Sequence, residues 1–289
     1  MSKPTEPVAT DDEEKELPPY KKMSYTDAVV GHELHNFFGG KVIEHTTAAG
    51  EVLALKVKTR SGLHCSEADL MHYAATHGVL APKVRGVYDV QTKPRARVMV
   101  SDRLPGLPLA HIWETATQSE RDSYKDQLRT QLRRMRECTQ PFIGRVARSG
   151  ERQQTYNIYD HLLTTYCGPF ETEKEFDDWC LARVLPRVGL LSRHKWKRFI
   201  ERDRRDAPQR FVLTHGDLTA RNIMAHEGVI TGIVDWERGG FFPEYAEYAF
   251  AVALGHNIEE WWVPELKEIL QPCSKDRVKF TSLVEQKGW

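Results

Sequence analysis

FVLTHGDLTARNIMAHEGVITGIVDW, residues 211–236, is the stretch on which the reading of this chain turns. Apolar runs lead into a polar turn and resume on either side of a Gly-containing turn, which predicts strand, turn, short strand, turn and strand. His215, Asp217 and Asn222 gather in the first turn, and Asp235 closes the run that holds Ile230, Ile233 and Val234. Magnesium prefers hard oxygen ligands and keeps several waters, so one amide and one carboxylate oxygen suffice when substrate phosphates complete the octahedron. Asn222 and Asp235 can supply those two oxygens. Asp217 then has no metal duty and lies where it can accept a proton from an attacking hydroxyl. Taken singly, an Asp in such a turn serves more often as a cap or an Asx-turn.

The bulk properties narrow the partners. A chain of 289 residues that is 40% hydrophobic suits two modest lobes better than one core. Lys plus Arg equals Asp plus Glu at 41 each, so no net field draws the chain to nucleic acid or to an anionic membrane. A small-molecule partner is expected. The five cysteines are scattered without a C-x-x-C pair, which suits a reducing compartment and argues against a disulfide framework or zinc cluster. Residues 1–22 carry Pro and mixed charge with few apolar side chains and read as a disordered tail. They lack the apolar core of a secretory signal, and no later stretch approaches the ~18 apolar residues of a membrane span. The expected location is cytoplasmic. The histidines of HELH, residues 32–35, read as surface residues, and RHKWKRFIERDRR, residues 193–205, reads as a packed amphipathic helix rather than a nucleic-acid contact.

Between about residues 37 and 100 the pattern is strand-like, with GGKVIEH (39–45), EVLALKVK (51–58) and RVMVSDRL (97–104). One helix interrupts it: SEADLMHYAATHG, residues 66–78, with Ser66 as N-cap and Gly78 as stop. After LPGLPL, residues 104–109, helical periods take over at SYKDQLRTQLRRMREC (123–138), EFDDWCLARVLPRVGLL (175–191), HKWKRFIERD (194–203) and EYAEYAFAVAL (244–254). The expected organisation is a tail over 1–22, a strand-rich lobe over 23–103 and a helical lobe over 104–289. A ligand would be clamped between the lobes.

THGDLTARNIM (214–224) and GIVDWERGGFFPEYAEY (232–248) resemble the catalytic and metal-binding segments of the aminoglycoside phosphotransferase and choline kinase family, most closely its fungal members. Their H-x-D-x-x-x-x-N spacing and following Asp are in the order that phosphotransferases use. The resemblance implies an α+β, protein-kinase-like two-lobed fold, with a small antiparallel sheet and one main helix in the first lobe and a mainly helical second lobe. It also implies transfer of the γ-phosphoryl group of ATP, with Mg2+, to a hydroxyl of a small molecule. By that resemblance Asp217 falls on the catalytic Asp, Asn222 and Asp235 on the magnesium ligands and His215 on the structural His of the loop.

LALK, residues 53–56, resembles the kinase strand that carries the phosphate lysine, which suggests Lys56, with Ala54 on the same face leaving room for adenine. Lys58 shares that face, and its spacing to Glu67 also fits, so both lysines stand as candidates. Glu67 resembles the acid that pairs with that lysine. VMVSDRLPG (98–106) matches the family's hinge, where Ser101 and Asp102 would present backbone groups to adenine. NFFGGKVIEH (36–45) has Gly39 and Gly40 but no G-x-G-x-x-G, a departure in the phosphate loop, and Thr219-Ala220 is a minor one. The aromatics and acids of WERGGFFPEYAEY (236–248) and GHNIEEWW (255–262) suggest an acceptor pocket for an amine or polycyclic compound. A non-catalytic nucleotide-binding relative is the alternative. A protein kinase is disfavoured, because no A-P-E segment or activation loop follows Asp235.

Overall fold

The computed structural model describes residues 29–37, 39–146, 152–153, 155–156, 166–203 and 210–287. The tail expected at 1–22 lies outside them. The first half is built on a five-stranded antiparallel sheet, β1 (His32–Phe37), β2 (Gly40–Thr46), β3 (Val52–Thr59), β4 (Val84–Val90) and β5 (Ala96–Asp102). Their order is β1-β2-β3-β5-β4. Two of the five strands go beyond the sequence reading, and both are edge strands. β1 is polar and mostly exposed, and β4 carries a register irregularity between Val84 and Gly86, so neither shows a clean alternation.

β3 lies in the centre and alternates as a two-sided strand must. Leu55 and Val57 pack with Ile43, Ala96 and Val98 in a small apolar cluster. Ala54, Lys56 and Lys58 therefore share the opposite face. The one helix of this half, α1 (Cys65–Thr76), buries Leu70, Met71 and Ala74 in the main core. Its start corrects the expected N-cap: His64 holds that position, with no side-chain capping bond, and Ser66 lies within the first turn. The Ser66 hydroxyl instead accepts a hydrogen bond from Arg145 at 2.9 Å, a long-range partner that local capping rules do not see.

The rest of the chain is mainly helical. The helix Gln118–Glu137 opens on a capping box between Thr117 and Glu120. The helix expected over 175–191 is divided, because Glu173–Val184 gives way to a short 3-10 turn holding Pro186, and a new helix, Leu190–Asp203, starts after Gly189. That second helix buries Trp196, Phe199 and Ile200, with Phe280 of the helix Lys275–Lys287 against both aromatic rings, as its amphipathic spacing requires. Arg277, almost fully buried, ties three helices by bonds to Asp177 at 2.7 Å and Asp203 at 2.9 Å. Among the described residues no helix is long and apolar enough to cross a membrane.

Two small sheets deliver the polar turn. Phe211–Thr214 lies between Gly240–Phe242 and Thr139–Gln140, and Ile223–His226 lies between Val229–Ile233 and Leu107–Pro108. The strand–turn–strand reading of residues 211–236 describes this arrangement, and the two sheets hold its ends.

Candidate active site

The turn after Thr214 is fixed by its backbone. His215, fully buried, accepts the Asp217 N–H at Nδ1 over 3.2 Å. Its proton is therefore on Nε2, which donates to the Val234 carbonyl at 2.9 Å. The N–H groups of His215 and Gly216 donate to the two oxygens of Glu247 at 2.6 and 3.0 Å. Burial pushes the Glu247 carboxyl up, while His215 and the two N–H donors pull it back. Gly216 is required twice over: its φ is +80°, and a Cβ there would lie 2.8 Å from the Arg238 carbonyl oxygen. Farther along, Ala220 and Arg221 donate their N–H groups to Glu259 at 2.6 and 3.3 Å, and the Trp262 indole donates to the Leu218 carbonyl.

This frame brings the three polar residues of the turn together. The Asn222 amide nitrogen donates to the Asp217 carbonyl at 3.0 Å, so its side-chain oxygen is the atom left for a cation. Val234 donates its N–H to the Asn222 carbonyl at 2.9 Å, which draws the end of the third strand, and Asp235 after it, toward Asn222. Asp235 has φ 67° and ψ 62°, a left-handed conformation that Asp tolerates better than most residues but that still marks local strain. Asp217 is nearly buried. Its Oδ2 meets Arg221 Nη2 at 3.2 Å, and its Oδ1 is enclosed with no hydrogen-bond partner among the described residues.

On the sheet side the two candidate lysines separate. Lys56 Nζ lies 2.8 Å from Glu67, 2.7 Å from Asp235 and 3.3 Å from Glu237. Lys58 Nζ lies 2.6 Å from Glu237. The geometry thus gives the Glu67 pair to Lys56, and two cations face three carboxylates. Burial works to lower the Lys56 pKa, but Asp235, Glu67 and Glu237 together outweigh it and hold the ammonium well above its usual range. Burial likewise opposes ionisation of Glu237, and Lys56 and Lys58 overcome it, keeping that carboxyl far below the ordinary range.

A residue absent from the sequence reading locks this cluster. Arg145 is buried and donates to the Ser66 hydroxyl, to the Gly239 carbonyl at 2.7 Å and to the Glu237 carbonyl. One guanidinium therefore joins the first turn of α1, which carries Glu67, to the loop that carries Asp235. Nothing around Arg145 in the sequence signals this, because its partners lie 79 to 94 residues away.

The hinge and the expected acceptor pocket fit less simply. Ser101 is buried and pairs across β5 with Ala54. The Asp102 N–H already donates to the Lys83 carbonyl, and its carboxylate is paired with Arg85, so that N–H is not open to a nucleotide. Among the residues expected to line an acceptor pocket, Glu247 and Glu259 hold the polar turn, Tyr245 is stacked by Arg277, and Trp262 is buried beneath Leu218. They form the scaffold of the loop. The partly exposed Trp261 packs beside Trp113 and Trp262. Among the described residues no three His, Cys, Asp or Glu side chains gather to hold a metal by themselves, so a cation at Asn222 and Asp235 needs ligands from its substrate.

Comparison with known proteins follows this geometry. Solved structures with the same fold include aminoglycoside phosphotransferase APH(4)-Ia in a ternary complex with ADP and hygromycin B, at TM-score 0.57 and 14% identity, covering 88% of this chain and 82% of that one. The crystal structure of a protein from Ralstonia eutropha aligns at TM-score 0.54 and 12% identity over 90% of this chain and 82% of its own. No curated protein sequence matches the chain. The model of the phosphotransferase enzyme family matches residues 45–271, which include β3, α1, β4, β5, the polar turn and Asp235, and the chain belongs to that family.

Proposed function

We propose that the protein is an ATP- and Mg2+-dependent kinase that phosphorylates a hydroxyl of a small molecule. The observation that carries this reading is the convergence of Lys56–Glu67, Asn222–Asp235 and the orphaned oxygen of Asp217 on one cleft. Lys56, held by Glu67, would meet the α- and β-phosphates. Asn222 Oδ1 and the Asp235 carboxylate fit a hard cation, and magnesium held there would supply positive charge to offset that of the phosphates. Asp217 Oδ1 is a buried acceptor without a donor, a state that costs about 1–3 kcal/mol and calls for a reason. An acceptor hydroxyl is that reason: it would donate to Asp217, be oriented in line with the γ-phosphorus and lose its proton there.

The nucleotide reading is supported by the ADP complex of the structural neighbour, and the acceptor class by its hygromycin B. Resemblance of residues 214–224 and 232–248 to fungal members supports a role in secondary metabolism or detoxification. Thermal unfolding tests the nucleotide part, since a ligand that binds only the folded state raises the melting temperature by mass action. Millimolar ATP with magnesium is expected to raise Tm, and ATP without a divalent cation to do so far less. No rise with both present would favour a non-catalytic member. An untargeted metabolite screen with MgATP then identifies the acceptor.

A further inference from the structure

We propose that Arg221 is a catalytic residue, the cation that neutralises the phosphoryl group in flight beside Asp217. The inference rests on the kinase reading above. Arg221 follows Asp217 by four residues across the turn, and its Nη2 stands 3.2 Å from Asp217 Oδ2. Among the described residues it is the one cation within 4.0 Å of that carboxylate. The root of Arg221 is fixed, because its own N–H and that of Ala220 are held by Glu259. Its head is not: the side chain is 43% exposed, and Asp217 is the one hydrogen-bond partner of the guanidinium among the described residues.

A half-exposed ion pair of this kind contributes little to folding, on the order of 0–1 kcal/mol, so stability does not explain it. The chemistry does. During transfer the bond from the γ-phosphorus to the bridging oxygen of ADP breaks, the bond to the attacking oxygen forms, and that oxygen's proton passes to Asp217. ADP leaves with the electron pair. Negative charge in the loose transition state spreads over three equatorial oxygens. Lys56 already meets Glu67 and Asp235. Among the described residues Arg221 is the cation that meets Asp217, and it is therefore the one placed to face those oxygens as the proton leaves. A guanidinium is planar, permanently charged and able to bridge a carboxylate and a phosphate with parallel donors. Free of nucleotide it is the counter-ion of Asp217; with MgATP bound, its unused donors turn to the transferring group.

Three variants, Arg221→Gln, Arg221→Lys and the double substitution of Asp217→Asn with Arg221→Gln, are set beside Asp217→Asn and the natural protein. Each is measured with MgADP, with MgADP plus aluminium fluoride as a mimic of the transferring phosphoryl, and with MgATP hydrolysis by water. Arg221→Gln is expected to keep its fold and the Tm rise given by MgADP alone. It should lose the further rise given by aluminium fluoride and hydrolyse MgATP about 10²–10³-fold more slowly, the usual cost of removing one such donor. Arg221→Lys should recover part of both. The Asp217→Asn background separates direct from indirect action, since a cation acting on the phosphoryl still contributes to fluoride stabilisation when the Asp217 carboxylate is gone, and its removal still lowers it. An Arg221→Gln variant with undiminished hydrolysis and fluoride response overturns the proposal. So does an effect that disappears in the Asp217→Asn background, which would leave Arg221 a mere positioner of Asp217. A natural protein that ignores MgADP altogether overturns the kinase reading itself and with it this inference, an outcome distinct from either.

Discussion

On the sheet wall of the cleft, Lys56, Lys58, Glu67, Asp235 and Glu237 contact one another at 2.6–3.3 Å before any ligand arrives. On the catalytic-loop wall, Asp217 has one half-exposed arginine and one enclosed oxygen with no hydrogen-bond partner among the described residues. On the kinase reading the first wall would handle charges that persist through the reaction, so it can be assembled in advance as mutual ion pairs. The second would receive a proton that arrives only with the acceptor hydroxyl, for which an oxygen already satisfied by the protein would be a poorer acceptor. The difference between the walls would then be that between electrostatic preorganisation and an acceptor oxygen the protein leaves unpaired.

Removing the metal ligand of the preassembled wall is expected to give the largest effect. Asp235→Asn keeps the shape but removes the one negative charge from the oxygen pair at Asn222 and Asp235, and with it one ionic partner of Lys56. Phosphotransfer should fall by more than about 10³-fold, given the several kcal/mol that a metal supplies to the transition state. Full turnover by this variant in an assay with the acceptor found by metabolite screening would break the assignment of the cation to this wall.

Next in size is the catalytic-loop wall itself. Asp217→Asn leaves the nucleotide's contacts intact and removes the proton acceptor, so turnover should drop by roughly 10²–10⁴ with MgATP affinity near that of the natural protein. Loss of nucleotide binding in this variant would show that Asp217 belongs with the charge-handling wall, and the comparison would collapse.

Smaller still is the contrast between the two lysines. Lys56→Met removes a partner of Glu67, Asp235 and Glu237, whereas Lys58→Met leaves the Lys56–Glu67 pair in place and removes a contact to Glu237. Calorimetric titration with MgATP should show a loss for Lys56→Met about ten times that for Lys58→Met, the ratio for one additional charge-assisted contact of about 1.4 kcal/mol. Equal losses would mean that both lysines meet phosphate.

How much of this was legible in the sequence follows the range of each contact. Asp217, Asn222 and Asp235 lie within 18 residues on alternating strand and turn, so their spacing alone placed them together. Period-two alternation set Lys56 and Lys58 on one face of β3, but it could not choose between them, because that choice depends on α1 and on Glu237, 179 residues beyond Lys58. Glu247 and Glu259 looked like ligands for a cationic substrate. They are buried or half-buried acceptors for backbone N–H groups 31 to 39 residues earlier, a role that no local pattern encodes. β1 and β4 were missed for a different reason, since edge strands bury only part of one face and carry a weak alternation.

The smallest expected effect concerns a second buried contact behind the preassembled wall. Glu285, in the helix Lys275–Lys287, lies 3.9 Å from Arg238, three residues past Asp235, and both its carboxyl oxygens lack hydrogen-bond partners among the described residues. Burial raises its carboxyl to about 8, with Arg238 pulling against the shift. The folded state therefore keeps this proton where the unfolded chain has already lost it. Below the ordinary carboxylate range both states are protonated and stability is unaffected by pH. As the pH rises from about 4.5 toward 8 the unfolded state is favoured progressively, and above 8 the loss is complete. Tm measured across that window should decline, and Glu285→Gln, neutral at every pH, should flatten the decline while leaving MgATP affinity unchanged. A slope unaltered by that substitution would place the pH sensitivity elsewhere. A fall in MgATP affinity would instead show that the Arg238–Glu285 contact helps hold Asp235, and that the wall assembled in advance extends as far as the last helix.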